Sequence, residues 1–294
     1  MLLHVIHKTR YDYSPPVKTA QHMAHLKPAH GGGQRLLKHA LCIEPAPAQQ
    51  SETIDVHGNT RAFFSLRIAH NHLEVIADSL ISTTAPVVPQ STMPWEEVRE
   101  RLRYHRGAAY DPAAEFVFPS HYVPRHDDFV AYARPSFMPG RPLLDAAREL
   151  MGRIHDDFVY EAEATDVSTP ALEALALRQG VCQDFAHVML ACLRSLGLPA
   201  RYVSGYLLTA PAPGQARLVG SDASHAWVSV YLPGDSEPGA WTGLDPTNNR
   251  APGEDYVTVA TGRDYSDVSP LRGVLHGGAH HEPHVSVTVT PVDA

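Results

Sequence analysis

No block of basic residues occurs anywhere in this 294-residue chain. Lys and Arg number 24 against 32 Asp and Glu, for a net charge of −8 and a pI near 6.1. That balance argues against nucleic acid as a main partner, because phosphate backbones are met by basic stripes. Long hydrophobic runs are missing as well. The best apolar stretch, 188–198, is cut by Arg194 and falls short of a membrane span. The first eight residues, MLLHVIHK, lack the basic start, apolar run and small-residue cleavage site of a signal peptide. A cytoplasmic protein with no membrane partner is therefore expected. Cysteine is scarce: Cys42, Cys182 and Cys192 make an odd set that cannot form a disulfide framework. A reducing compartment fits, and it keeps a free thiol available. Internal repeats and low-complexity tracts are absent, and nothing bears on oligomeric state.

What is present is 44% hydrophobic residues, enough for one large domain or two ordinary ones. Residues 1–83 read as short strands, with an opening run that stops at Pro15-Pro16 and further runs at 36–43, 62–68 and 73–81. The turn signals GGG (31–33), PAP (45–47) and HGN (57–59) separate them, which predicts a small all-β, sandwich-like domain. Residues 84–140 are rich in proline and aromatics. One helix, 95–104, stands out there, and the rest reads as an ordered connector. From 141 to 294 helical spacing at 143–158, 171–178 and 182–196 gives way to strand runs at 200–208, 225–232, 240–245 and 285–290. Helices followed by strands predict an α+β domain with helices packed on an antiparallel sheet.

The segment Gly180-Val181-Cys182-Gln183-Asp184-Phe185-Ala186 carries the most chemistry. Cys182 falls in the first turn of a helix whose apolar face is Phe185, Met189, Cys192, Leu193 and Leu196. Helix starts gather free N–H groups and positive dipole, so they favour a thiolate and can hold an oxyanion. A small buried hydrophobe fits the same position, and it is the expected role of Cys192 and of Cys42. His225 opens an alternating strand, and Asp245 ends the next one before Pro246. The two are nearly symmetric about the intervening loop, 233–239, and so become cross-strand or diagonal neighbours in a hairpin. An orienting carboxylate on a catalytic histidine and a turn-capping pair are both compatible with that placement.

Taken together, Gly-x-Cys-x-x-Phe-Ala (180–186), His-x-Trp-Val (225–228) and Leu-Asp-Pro-Thr (244–247) resemble the motifs of the transglutaminase-like superfamily. The segments ARYVSGY (200–206) and GRDY (262–265) resemble its bacterial branch, which holds transglutaminase-like enzymes and cysteine protease homologues. Tyr11-x-Tyr13-Ser14-x-Pro16-Val17 and Asp55-x-x-Gly58-Asn59 resemble the β-rich N-terminal region of that branch, so the resemblance spans nearly the whole chain. It implies a papain-like core with Cys182 as nucleophile, His225 as general base and acid, and Asp245 as orienter. It also implies a peptide or amide substrate, with no metal and no cofactor. Gln183 stands where the animal enzymes carry an aromatic residue, and their calcium sites have no counterpart here. That argues against calcium activation and crosslinking, and hydrolysis is the favoured outcome. Further candidates are Tyr206 and Trp227, as walls of an acyl pocket or as packing residues, Tyr160, as a hydroxyl donor to the oxyanion or a core tyrosine, and Asp184 as support for the helix start. Arg263 and Asp264 are expected to form an internal salt bridge. The histidines at 276, 280, 281 and 284 read as a polar loop rather than a metal site.

Overall fold

A computed structural model describes residues 1–87, 91–103, 105–107, 110–209, 224–234, 239–278 and 280–292, the side chains of His281 and Glu282 excepted. The chain opens with strands β1 (Leu2–Ala24), β2 (Gln34–Glu44), β3 (Gln49–Ile54), β4 (Thr60–Leu66) and β5 (His70–Thr83). They hydrogen-bond in the order β2-β5-β1-β4-β3. Strand β1 is the spine. Its first half pairs with β5, and from Ala20 onward it pairs with β4. The sequence pattern ends the first strand at Pro15-Pro16, but the chain stays extended to Ala24. The register with β5 breaks between Asp12 and Val17, so the prolines lie where the ladder asks for no N–H.

Next come α1 (Trp95–Arg101), a 3₁₀ turn (Pro112–Val117), α2 (Asp127–Ala133) and α3 (Leu143–Asp157). The expected helix at 95–104 is thus shorter, and Tyr104 lies outside the described residues. The sequence pattern does not reveal α2, since only two turns carry its apolar face of Phe129, Tyr132 and Ala133. The short strands β6 (Val159–Tyr160) and β7 (Gln179–Gly180), which flank α4 (Ala171–Leu177), pair in parallel. Helix α5 (Cys182–Ser195) follows, then β8 (Ala200–Leu207), β9 (Ser224–Leu232), β10 (Ala240–Leu244) and β11 (Tyr256–Gly262). These four strands form an antiparallel sheet in the order β10-β9-β8-β11. Strand β11 is not visible in the sequence pattern.

Helix α5 is buried on every side from Gln183 to Arg194, as expected of a helix enclosed by α2, α3, α4 and the sheet. Each fully buried leucine or phenylalanine there is worth about 1.5–3 kcal/mol of transfer free energy. Arg194, which interrupts the apolar run, is itself fully buried. It donates to the carbonyls of Ala200 (2.7 and 3.0 Å) and Arg263 (2.6 Å) and to Ser120 Oγ (3.2 Å). A cation at the last turn also suits the negative end of the helix. No helix among the described residues is long and apolar enough to cross a membrane.

After α6 (Tyr265–Val268), β12 (Leu271–Gly277) and β13 (His280–Pro291) do not extend the second sheet. Both pair antiparallel with β1. The sequence pattern groups these residues with the helical region. The structure returns them to the first sheet, where Val287 and Val289 are buried in one cluster with Leu3, Val5 and Ile81. His276, His280 and His284 therefore lie on exposed strands, not in a polar loop. The first sheet is also tied to the second. Asn59 Nδ2 donates to the Thr261 carbonyl (2.7 Å) and Asn59 Oδ1 accepts from Thr261 N (2.8 Å), while Gln34 does the same with Thr258.

Candidate active site

The start of α5 sets the position of Cys182. Gly180 has φ +150°, and a Cβ there would lie 2.8 Å from Asp184 Cβ, so a side chain would collide with the cap. Asp184 is the third residue of the helix and is 1% exposed. Its Oδ2 accepts from Val181 N (2.8 Å) and Thr165 Oγ1 (2.7 Å), the reach-back half of a capping box. Burial raises the Asp184 carboxyl above its ordinary value, against the pull of those donors. Asp184 Oδ1 is buried without a partner among the described residues. Gln183 donates to the Val167 carbonyl (3.1 Å). Cys182 is then the first helical residue and is only half-buried. The backbone N–H groups of Cys182 and Gln183 donate to no carbonyl among the described residues, as expected at a helix start.

His225 and Asp245 come together from β9 and the end of β10. Leu244 pairs with Val228, so Asp245 falls opposite Trp227 and diagonal to His225. His225 Nε2 donates to Asp245 Oδ2 at 2.6 Å. The Asp245 carboxylate is fully buried and heavily satisfied. Its Oδ2 also accepts from Tyr256 Oη (2.7 Å) and Asn248 Nδ2 (2.7 Å), and its Oδ1 from Thr247 N (2.9 Å) and Asn248 N (3.2 Å). Burial alone would raise this carboxyl, but the donors, His225 foremost, hold it below the ordinary carboxylate value. The sequence pattern gives no sign of Tyr256 or Asn248. They lie 11 and 3 residues beyond Asp245, and only the return of β11 brings the tyrosine back.

The imidazole has two neighbours of consequence. Burial would lower its pKa, yet the hydrogen bond to Asp245 and the adjacent Cys182 thiol push it up to about 9. With Nε2 given to Asp245, Nδ1 is the nitrogen left for sulfur. Trp227 flanks the ring at a centroid distance of 6.1 Å and crosses Tyr256 edge-on at 5.3 Å. Gly205, opposite His225 in the register, leaves room for that indole. A Cβ there would lie 2.6 Å from the Trp227 ring.

The remaining candidates divide. Tyr160 is 55% exposed and close enough to Cys182 that charge on sulfur joins burial in raising its hydroxyl pKa. It can serve as a wall. Tyr202, which the sequence pattern does not single out, is buried, and its hydroxyl pKa is raised by burial first and by the Cys182 sulfur second. Trp227 is 3% exposed and packs beside His225, so it supports the ring. Tyr206 is not a pocket residue. It is buried in the main core, and its hydroxyl pairs with His7 Nδ1 of β1 at 3.0 Å, because its position in β8 carries it to the seam with the first sheet. Arg263 pairs with Asp267 (2.9 Å) and not with Asp264, whose carboxylate caps α6 through Ser266 N (2.9 Å) and accepts from Tyr122 N. Cys192 is buried, as expected, whereas Cys42 is exposed on β2, which among the described residues has a strand partner on one side only. Among the described residues no three His, Cys, Asp or Glu side chains gather as metal ligands.

Comparison with known proteins agrees with this architecture. Residues 3–82 match the family described as the bacterial transglutaminase-like N-terminal region, and residues 131–246 match the transglutaminase-like superfamily. An uncharacterized protein of Mycobacterium tuberculosis is 40% identical over 98% of this chain and 92% of its own length. A protein-glutamine gamma-glutamyltransferase of Pseudomonas aeruginosa is 28% identical over 53% of this chain, which corresponds to 25% of that protein. The crystal structure of a candidate cysteine protease from Cytophaga hutchinsonii superposes with a TM-score of 0.73 at 20% identity, covering all of this chain and 92% of that one, which is a likeness of fold. With a motif-bearing core, a β-rich N-terminal region and a full-length relative all in agreement, the chain belongs to the transglutaminase-like superfamily.

Proposed function

We propose that this protein is a thiol-dependent amidase or peptidase in which Cys182, His225 and Asp245 act as nucleophile, acid–base and orienter. The observation that carries this reading is the imidazole itself. It is bound at Nε2 to a fully buried carboxylate, and its pKa is also raised by the sulfur of half-buried Cys182 at a helix start. The Cys182 sulfur attacks the amide carbonyl carbon, and the N–H groups opening α5 receive the developing oxyanion. His225 passes a proton to the departing amine as the C–N bond breaks, leaving a thioester on sulfur. His225 then takes a proton from water, the hydroxide attacks the thioester carbonyl, and the acid leaves as the thiol is restored. Asp245 keeps the proton on Nε2 throughout, so that Nδ1 does the exchanging.

Water is favoured over an amine as the acyl acceptor because the Tyr160 wall beside Cys182 is more than half exposed, and an amine-selective site has to keep water out. The relationship to a gamma-glutamyltransferase supports the second reading, transfer to an amine. Incubating an amide substrate with and without a primary amine, then weighing the products, separates the two: free acid in both cases supports hydrolysis, and a new amide supports transfer. A reducing cytoplasm suits either reading, since it keeps the thiol free.

Alkylation tests whether the site is built for catalysis at all. Iodoacetamide is expected to modify Cys182 below pH 8 faster than exposed Cys42, with Cys192 protected by burial. Equal, slow labelling of Cys42 and Cys182 would instead indicate a non-catalytic peptide-binding module.

The pH profile has a defined sign. His225 has to carry a proton to release the amine, and its pKa of about 9 places the alkaline limb of kcat/KM near that value. The same shift links to stability. The folded value lies above the ordinary 6.5, so the stabilisation is complete below about pH 6.5 and fades as pH rises through 9. An alkaline limb near 6.5 would mean that Asp245 and Cys182 do not act on His225 as described.

A further inference from the structure

A cavity of about 740 Å³ opens between the first sheet and the outer face of the second. It lies apart from the candidate active site. Arg201, on its wall, pairs in the register with Ser229, four residues along β9 from His225, or roughly 13 Å at the usual strand rise.

Three guanidinium groups line this cavity without a carboxylate partner among the described residues: Arg61 from β4, Arg201 from β8 and Arg272 from β12. Among the described residues, Arg61 donates only to Thr53 Oγ1 (3.0 Å) and Arg272 only to the Ser266 carbonyl (3.1 Å). The Arg201 side chain forms no hydrogen bond among the described residues, and its Nε is buried and unsatisfied. Its guanidinium lies 4.3 Å from the Trp241 ring centroid, a contact that offsets only part of the cost of its desolvation.

The acids of the same cavity are already engaged. Asp55 accepts from the N–H groups of His57 and Asn59 and from Asn59 Nδ2. Glu115 accepts from the Tyr110 hydroxyl, and Asp267 holds Arg263 and faces His57. Burial pulls the Arg201 guanidinium down to about 10, so it still carries its charge at neutral pH. The positive charge of Arg61 and Arg272 also reaches His25, which shows how closely these groups face one wall.

We propose that this cavity is a binding site for a small multivalent oxyanion, a phosphate group or a compact polycarboxylate, with Arg201 as its floor and Arg61 and Arg272 at its rim. Planar guanidinium forks match the oxygen edges of both groups, and two or three of them around one cavity favour a multiply charged ligand over chloride. This inference does not depend on the acyl-transfer reading.

The test uses the full chain at constant ionic strength. Inorganic phosphate, pyrophosphate and citrate are titrated by calorimetry and by thermal unfolding, with chloride as the balancing salt. At least one of the three is expected to bind with a Kd below about 1 mM and to raise Tm, and Arg201→Met is expected to weaken that binding by at least about tenfold. A preference for pyrophosphate assigns the site to phosphate-bearing ligands, and a preference for citrate assigns it to carboxylates. The rim double variant Arg61→Gln/Arg272→Gln, whose side chains lie nearer solvent, is expected to lose affinity as well and serves if Arg201→Met does not fold. The proposal is overturned if none of the three anions binds the wild-type protein, or if the folded variants bind as tightly as wild type.

Discussion

Cys182→Ala is expected to reduce amide turnover by roughly 10⁶-fold, the scale seen when an acyl-transfer triad loses its nucleophile. The loss is large because the covalent intermediate forms on this sulfur. Tyr160 and Tyr202 are hydroxyls near that sulfur, and burial, the larger cause and one that survives its removal, raises both above their usual pKa and favours the unreactive neutral form. Stability should change little, by about 0.5 kcal/mol, since Cys182 is only half-buried and packs at the edge of the main core. Mass spectrometry adds a second readout: an acyl adduct accumulates on the wild-type chain during turnover and never on the variant. Cys192→Ala provides the contrast. Its sulfur is buried in the core, so it should cost stability and leave the chemistry intact. Near-normal turnover by Cys182→Ala would remove the proposed mechanism.

Asp245→Asn is expected to cost about 10³–10⁴ in kcat/KM, by the same logic that governs the aspartate of serine protease triads. The carboxylate accepts five hydrogen bonds, three on Oδ2 and two on Oδ1. An amide keeps its oxygen toward the N–H groups of Thr247 and Asn248, which turns its NH₂ toward His225 Nε2. The imidazole then has to accept there and carry its proton on Nδ1, where it can no longer take one from sulfur. The same NH₂ also meets the Asn248 amide donor, so a stability loss of about 1–3 kcal/mol should accompany the kinetic one. The alkaline limb of the pH profile should move down from about 9, because the contact that raises the imidazole has been lost. Tyr256→Phe removes one donor without altering the tautomer, and it is expected to cost far less rate. If Asp245→Asn left both kcat/KM and the alkaline limb unchanged, Asp245 would be a turn-capping residue only.

Much of the second half of the chain is legible in the amino-acid pattern. The spacings at 143–158, 171–178 and 182–196 correspond to α3 (Leu143–Asp157), α4 (Ala171–Leu177) and α5 (Cys182–Ser195), and the runs at 200–208 and 225–232 to β8 and β9. These elements carry strong periodicity because each presents a continuous apolar face to the same core. Elements whose burial is shared or partial are harder to read. Strand β1 runs through two prolines because the ladder is interrupted there, a fact that belongs to β5 and not to β1. Strand β11 has little apolar alternation of its own and is held by pairing with β8 and by Asn59 and Gln34 from the first sheet.

The sequence alone singled out the three chemical groups that the proposed reaction uses. A cysteine after Gly-Val, a histidine opening a strand and an aspartate before a proline are local patterns, set by helix starts and strand ends, and local patterns survive in a linear text. Tertiary structure decided which groups serve those three. Tyr256 and Asn248 secure Asp245, Tyr206 is drawn away to His7, and the C-terminal strands return to β1 and close the cavity around Arg201. Each of these depends on contacts between segments far apart in the chain. Such pairings are chosen by the total surface buried when the two sheets and α5 pack together, and no single segment records that sum.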